Sequence, residues 1–92
     1  MSEGVPMTIW QFELEITDLQ RVFMPHGATI LSAANQNGNV CLWAMVNPKR
    51  PAQERVIEII GTGNPIQPMQ RHFIGTVVVN PFVWHVFERQ AT

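Results

Sequence analysis

Apolar and polar side chains alternate strictly along residues 10–17: Trp10, Phe12, Leu14 and Ile16 fall on one side, and Gln11, Glu13, Glu15 and Thr17 on the other. Successive side chains of an extended strand point to opposite faces, so the alternation predicts a strand with one buried face and places Trp10 in the core. Asp18 interrupts it, and residues 19–24 form a second short strand closed by Pro25-His26-Gly27. Residues 29–35 and 40–46 flank Gln36-Asn37-Gly38-Asn39. Both central residues of a tight hairpin turn need positive φ, which Asn and Gly tolerate best, so these two segments pair as an antiparallel hairpin. The second of them, Val-Cys-Leu-Trp-Ala-Met-Val, is apolar throughout. That composition predicts a central strand covered on both faces, with Cys41 and Trp43 inside.

Residues 47–53 hold two prolines and the adjacent cations Lys49 and Arg50, the pattern of an exposed loop. A strand over 55–60 ends at Gly61-Thr62-Gly63-Asn64-Pro65, and residues 61–71 read as a structured loop. Residues 73–79 form a strand, Asn80-Pro81 turns the chain, and residues 82–89 close it. On the last segment Phe82, Trp84 and Val86 share one face, while Val83, His85 and Phe87 share the other. Turn signals at such regular spacing, with no helical apolar stripe, predict an all-β fold. The expected architecture is a small antiparallel sandwich or partly open barrel of six to seven short strands. A short helical turn is compatible only with residues 48–54 or 65–71. The organisation is one domain over 7–89, with tails at 1–6 and 90–92.

Composition narrows the class. The chain has 92 residues, 46% of them hydrophobic, which fits one globular domain rather than a disordered segment. Charged residues make up only 14%, well below the usual quarter, and the formal net charge is −1. Arg21, Lys49, Arg50, Arg55, Arg71 and Arg89 are scattered rather than striped, which argues against direct nucleic-acid binding. A lightly charged surface suits protein contact. The single Cys41 rules out an internal disulfide and a cysteine-based metal site. The start of the chain lacks a basic, then apolar, leader, and no apolar run is long enough to span a membrane, so the expected location is the cytosol.

Several blocks match a known pattern in order. The stretch from Gly27 to Pro48 contains Gly27-Ala28, Gln36-Asn37-Gly38 and Cys41-Leu42-Trp43-Ala44, and follows a Met24-Pro25 turn. Further on come Gly61-Thr62-Gly63-Asn64-Pro65-Ile66, Phe73-Ile74-Gly75-Thr76 and His85-Val86-Phe87-Glu88. The ordered set, covering most of residues 7–88, resembles a family of short bacteriophage proteins of unknown function. That family has a histidine where this chain has Asn64, which weakens a metal or acid–base role there. It also has a glycine pair where this chain has Asn80-Pro81. The resemblance implies a phage gene expressed in the host bacterial cytoplasm, and it implies no activity.

No paired acid and base or activated nucleophile can be drawn from the residues, so no enzyme activity, metal or cofactor is expected. His26, His72 and His85 share no metal-ligand spacing, and His85 and Glu88 point to opposite faces. Two binding surfaces remain as expectations. Arg21, Phe23 and Met24, on a short strand that suits a sheet edge, would bind protein by strand addition, with Trp84 as a further apolar contact. The loop Gly61, Thr62, Gly63 and Asn64, with Arg71 and His85, would bind a small ligand such as a nucleotide. The leading function is stoichiometric binding and inhibition of a host bacterial protein, for instance a defence component. Sequestration of a nucleotide and a minor place in the virion are the alternatives, and self-pairing into a homodimer is compatible with each.

Overall fold

The computed structural model describes residues 6–90. The tails expected at 1–6 and 90–92 fall mostly outside the described residues. Seven strands follow one another: β1 (Thr8–Glu13), β2 (Leu19–Pro25), β3 (Thr29–Gln36), β4 (Asn39–Val46), β5 (Ala52–Gly61), β6 (Arg71–Val79) and β7 (Phe82–Arg89). All pairings are antiparallel, and there is no helix among the described residues, including the segments 48–54 and 65–71. A three-stranded sheet has the order β1-β4-β3 and a four-stranded sheet the order β2-β5-β7-β6. The two sheets pack face to face as an open sandwich, with no closed barrel.

The β3–β4 hairpin has the predicted turn. Asn37 has φ 55° and Gly38 φ 88°, both positive as a two-residue primed turn requires. Its register pairs Gln36 with Asn39 and Ala33 with Leu42, and a bulge lies between Ile30 and Ser32. β4 is central in its sheet. Its Val40, Leu42, Ala44 and Val46 face the second sheet and are almost fully buried. They meet Ile57 and Ile59 of β5, Val77 of β6, Val86 of β7 and Met24 of β2 in two contiguous clusters.

The other face of β4 departs from the expectation of cover on both sides. Cys41 is buried, with the Gln11 side-chain amide donating to its sulfur at 3.3 Å, but Trp43 is half-buried and Met45 exposed. Nothing in the described chain packs over this face, because the sandwich has only two layers. Trp10 departs as well, at 39% exposure. It does point toward the second sheet, but β1 is an edge strand and its inner face overhangs the core. Leu14, just past β1, is buried instead.

The sandwich is closed along one flank and open along the other. On the closed flank the edge strands β3 and β6 meet: Asn35 Nδ2 donates to Val78 O at 2.9 Å. Gly75, beside a bulge in β6, lets the backbones approach, since a Cβ there would lie 3.2 Å from the Ala33 carbonyl oxygen. Among the described residues, the opposite flank carries the unpaired edges of β1 and β2.

Candidate functional site

Antiparallel strands bring the turns of the chain to two ends. At one end meet residues 14–18, the Asn37–Gly38 turn, the 61–64 turn and the Asn80–Pro81 connection, whose peptide bond is cis. The 61–64 turn closes through the Asn64 amide donating to Gly61 O at 3.0 Å, with Gly63 at φ 90°. Next to it β7 begins with Phe82, whose ring stacks on Trp84 at 5.5 Å between centroids and 24° between planes. Both rings stand on the inner face of β7. The covering hairpin turns back at a residue without a side chain, Gly38, so Phe82 is left 56% exposed.

Phe82 and Trp84 form the shared wall of two clefts. One, of about 400 Å³, is lined by Gly61, Thr62, Asn64, Pro81 and Val83 as well. The other, of about 310 Å³, is lined by Leu14, Ile16, Gly38, Asn39, Val40 and Val79. Asn64 joins the first to a third cleft of about 320 Å³ that includes Asp18 and Ile66. No lysine or arginine lines any of the three. Ile16, at 50% exposure, extends the apolar surface beyond the aromatic pair.

Of the ligand residues expected from sequence, Gly61, Thr62 and Asn64 lie together in the first cleft, and Gly63 forms their turn. His85 joins them through Thr62, whose hydroxyl is 2.7 Å from Nε2, while the Thr76 hydroxyl is 3.0 Å from Nδ1. In either tautomer one ring nitrogen donates and the other accepts, so both are engaged within the protein. Arg71 is elsewhere. It lies on the outer face of the four-stranded sheet, where Nε donates to Glu58 at 2.8 Å and Nη1 to Gln67 O at 2.8 Å. The arginine pins the returning loop over Glu58 rather than facing the 61–64 turn.

Glu58 is the one buried acidic residue among the described chain. Burial alone would raise its pKa. Hydrogen bonds from Arg71 and Arg89, together with their positive charges, outweigh that effect and hold the carboxyl below the ordinary carboxylate range. Arg89 Nη2 donates to Glu58 at 2.9 Å, while Arg89 Nε is buried without a partner. This cluster and the Arg55–Glu88 pair, which also holds Ala28 O, read as structural pins.

The expected protein-binding residues separate. β2 is an edge strand as anticipated, and Phe23 is 62% exposed on its outer side. Arg21 is exposed beside Phe23 and paired with Glu54. Met24 is only 1% exposed, which corrects its assignment to a contact surface: it points inward and packs with Ala28, Ala44 and Val46. Trp84 is half-buried and belongs to the turn-bearing end. Phe82 was not singled out from sequence, although the alternation of Phe82 with Trp84 carried the signal. No group of His, Cys, Asp and Glu among the described residues could hold a metal ion, and no described helix could cross a membrane.

The geometry defines a seven-stranded antiparallel β sandwich with an aromatic, turn-built surface at one end. The chain belongs to the family described as Domain of unknown function (DUF7352), which matches residues 6–92. No curated protein and no solved structure matches the chain.

Proposed function

We propose that this chain is a protein-binding module, a bacteriophage accessory protein that forms a stoichiometric complex with a host bacterial protein and inhibits it. The observation that carries the reading is the Phe82–Trp84 stack at the shared wall of two clefts, with Phe82 more than half exposed. A large aromatic side chain beside concave apolar surface is the usual chemistry of an interface anchor. Both ring nitrogens of His85 are engaged within the protein, which favours binding over acid–base work by His85 at this end. The phage origin and the host target rest on the ordered motif resemblance alone.

Sequestration of a small molecule is the second reading, favoured by cleft volumes near the lower end of ligand pockets. The absence of lysine and arginine from the cleft walls opposes an anionic nucleotide there. Quantitative co-purification of tagged protein from bacterial cells, comparing wild type with Phe82→Ala, tests the leading reading. A stoichiometric protein retained by the wild type and lost by a folded Phe82→Ala supports it. Equal retention by both variants removes the site.

A further inference from the structure

We propose that two copies of this chain pair edge to edge through β1, antiparallel about a two-fold axis. This goes beyond the partner reading above, because it uses the open flank and leaves the Phe82–Trp84 end free.

Among the described residues there are four strand edges, and three are defended. β3 and β6 cover each other through Asn35, Val78, Ala33 and Gly75. β2 carries the Arg21–Glu54 ion pair and ends in Pro25, and a charge and a proline both discourage strand addition. β1, Thr-Ile-Trp-Gln-Phe-Glu, contains no proline and no cation. Thr8, Ile9, Trp10 and Phe12 are β-branched or aromatic, Gln11 is uncharged and a single glutamate stands at the end, the composition of an undefended edge. Ile9 at 57% exposure and Trp10 at 39% lie on opposite faces of the strand. A strand added here would cover apolar surface on both faces at once, including Met45, the cross-strand neighbour of Ile9.

Charge selects a second copy and its direction. The formal charge of −1 conceals a separation between the two ends. The end reached by the close of β1 carries Glu13, Glu15 and Asp18, and no lysine or arginine occurs in the turns that meet there. Toward the opposite end lie exposed Lys49 and Arg50, which add to Arg21 paired with Glu54, Arg55 paired with Glu88, and Arg71 and Arg89 sharing Glu58. Antiparallel pairing through β1 sets the acidic end of each copy beside the basic end of the other. A parallel arrangement would oppose like ends. The two-fold contact is self-complementary and closes at two subunits.

The test is sedimentation equilibrium of the whole chain from about 10 µM to about 0.5 mM, at low and high salt. It is combined with oxidation of Ile9→Cys, Trp10→Cys and Gln11→Cys, each in a Cys41→Ala background because the Gln11 side chain touches the Cys41 sulfur. The expected result is a dimer that tightens at low salt, weakens at least tenfold in Ile9→Lys with an unchanged circular dichroism spectrum, and cross-links at one β1 position only. A Cα separation below about 7 Å is needed for that disulfide. A monomer across the whole range overturns the proposal. So does a dimer indifferent to Ile9→Lys but abolished by Phe23→Lys, which would place the contact on β2, and so does an assembly larger than two. A foreign protein held through Phe82 with β1 unpaired would retain the reading above and discard this one.

Discussion

Asn35 donates its side-chain amide to the Val78 carbonyl at 2.9 Å and so ties the edge of one sheet to the edge of the other. This bond, with the close approach of Gly75 to Ala33, closes one flank of the sandwich and leaves the β1–β2 flank as the open one.

Asn35→Ala removes the tie without opening the core, and it also removes the bond that the Gly38 amide donates to Asn35 Oδ1 at 2.8 Å. The expected loss is about 1–3 kcal/mol, the net worth of two hydrogen bonds. In a domain of this size it appears as a fall of several degrees in melting temperature, read by circular dichroism.

Gly75→Ala places a methyl against a backbone oxygen that belongs to a neighbouring strand and cannot rotate away. The predicted cost is about 1–3 kcal/mol from overpacking, and Gly75→Val costs more. Chemical denaturation gives both values. A neutral Gly75→Ala would show that β3 and β6 can slide apart.

Both mutations act on a flank the sequence did not describe. The strands themselves were legible: Asn37-Gly38 announced the β3–β4 hairpin, and alternation sorted the two faces of β7. Period two reports which residues share a face, but not which sheet a strand joins or whether that face is covered. Trp10 was therefore placed in the core although β1 lies at an edge, and Met24 at the surface although its face of β2 is covered by β4. The site was legible in part. The 61–64 turn, His85 and Trp84 do come together, but Arg71 is drawn to Glu58 by a charge thirteen residues away that no local pattern connects to it. The separation of charge between the ends is invisible along the chain, because only the antiparallel folding gathers those residues.

Glu58 gives the fold a dependence on acid. Its folded pKa is depressed, so its contribution is complete above the ordinary carboxylate pKa of about 4.3 and is lost as pH falls through the lower folded value. Urea midpoints of the wild type are expected to drop between about pH 5 and pH 3, while those of Glu58→Gln drop less. At neutral pH Glu58→Gln leaves two arginines facing an uncharged partner and costs about 3–5 kcal/mol. Equal acid sensitivity in both proteins would assign the effect to other carboxylates.

Phe82→Ala removes an exposed ring from the edge of the core. Stability is expected to change by less than about 1 kcal/mol, because the side chain is more than half in solvent already. Partner binding is expected to fall by at least about 2 kcal/mol, a thirtyfold loss of affinity, if the ring is the anchor. Titration calorimetry against the co-purified partner separates this effect from misfolding.

The most direct test of a protein-binding role is a native mass spectrum of the tagged chain purified gently from bacterial cells, recorded beside Phe82→Ala. The account predicts a stoichiometric protein bound to the wild type and absent from the folded variant. A small-molecule adduct with no protein partner, or a bound protein equally present on both, would contradict it.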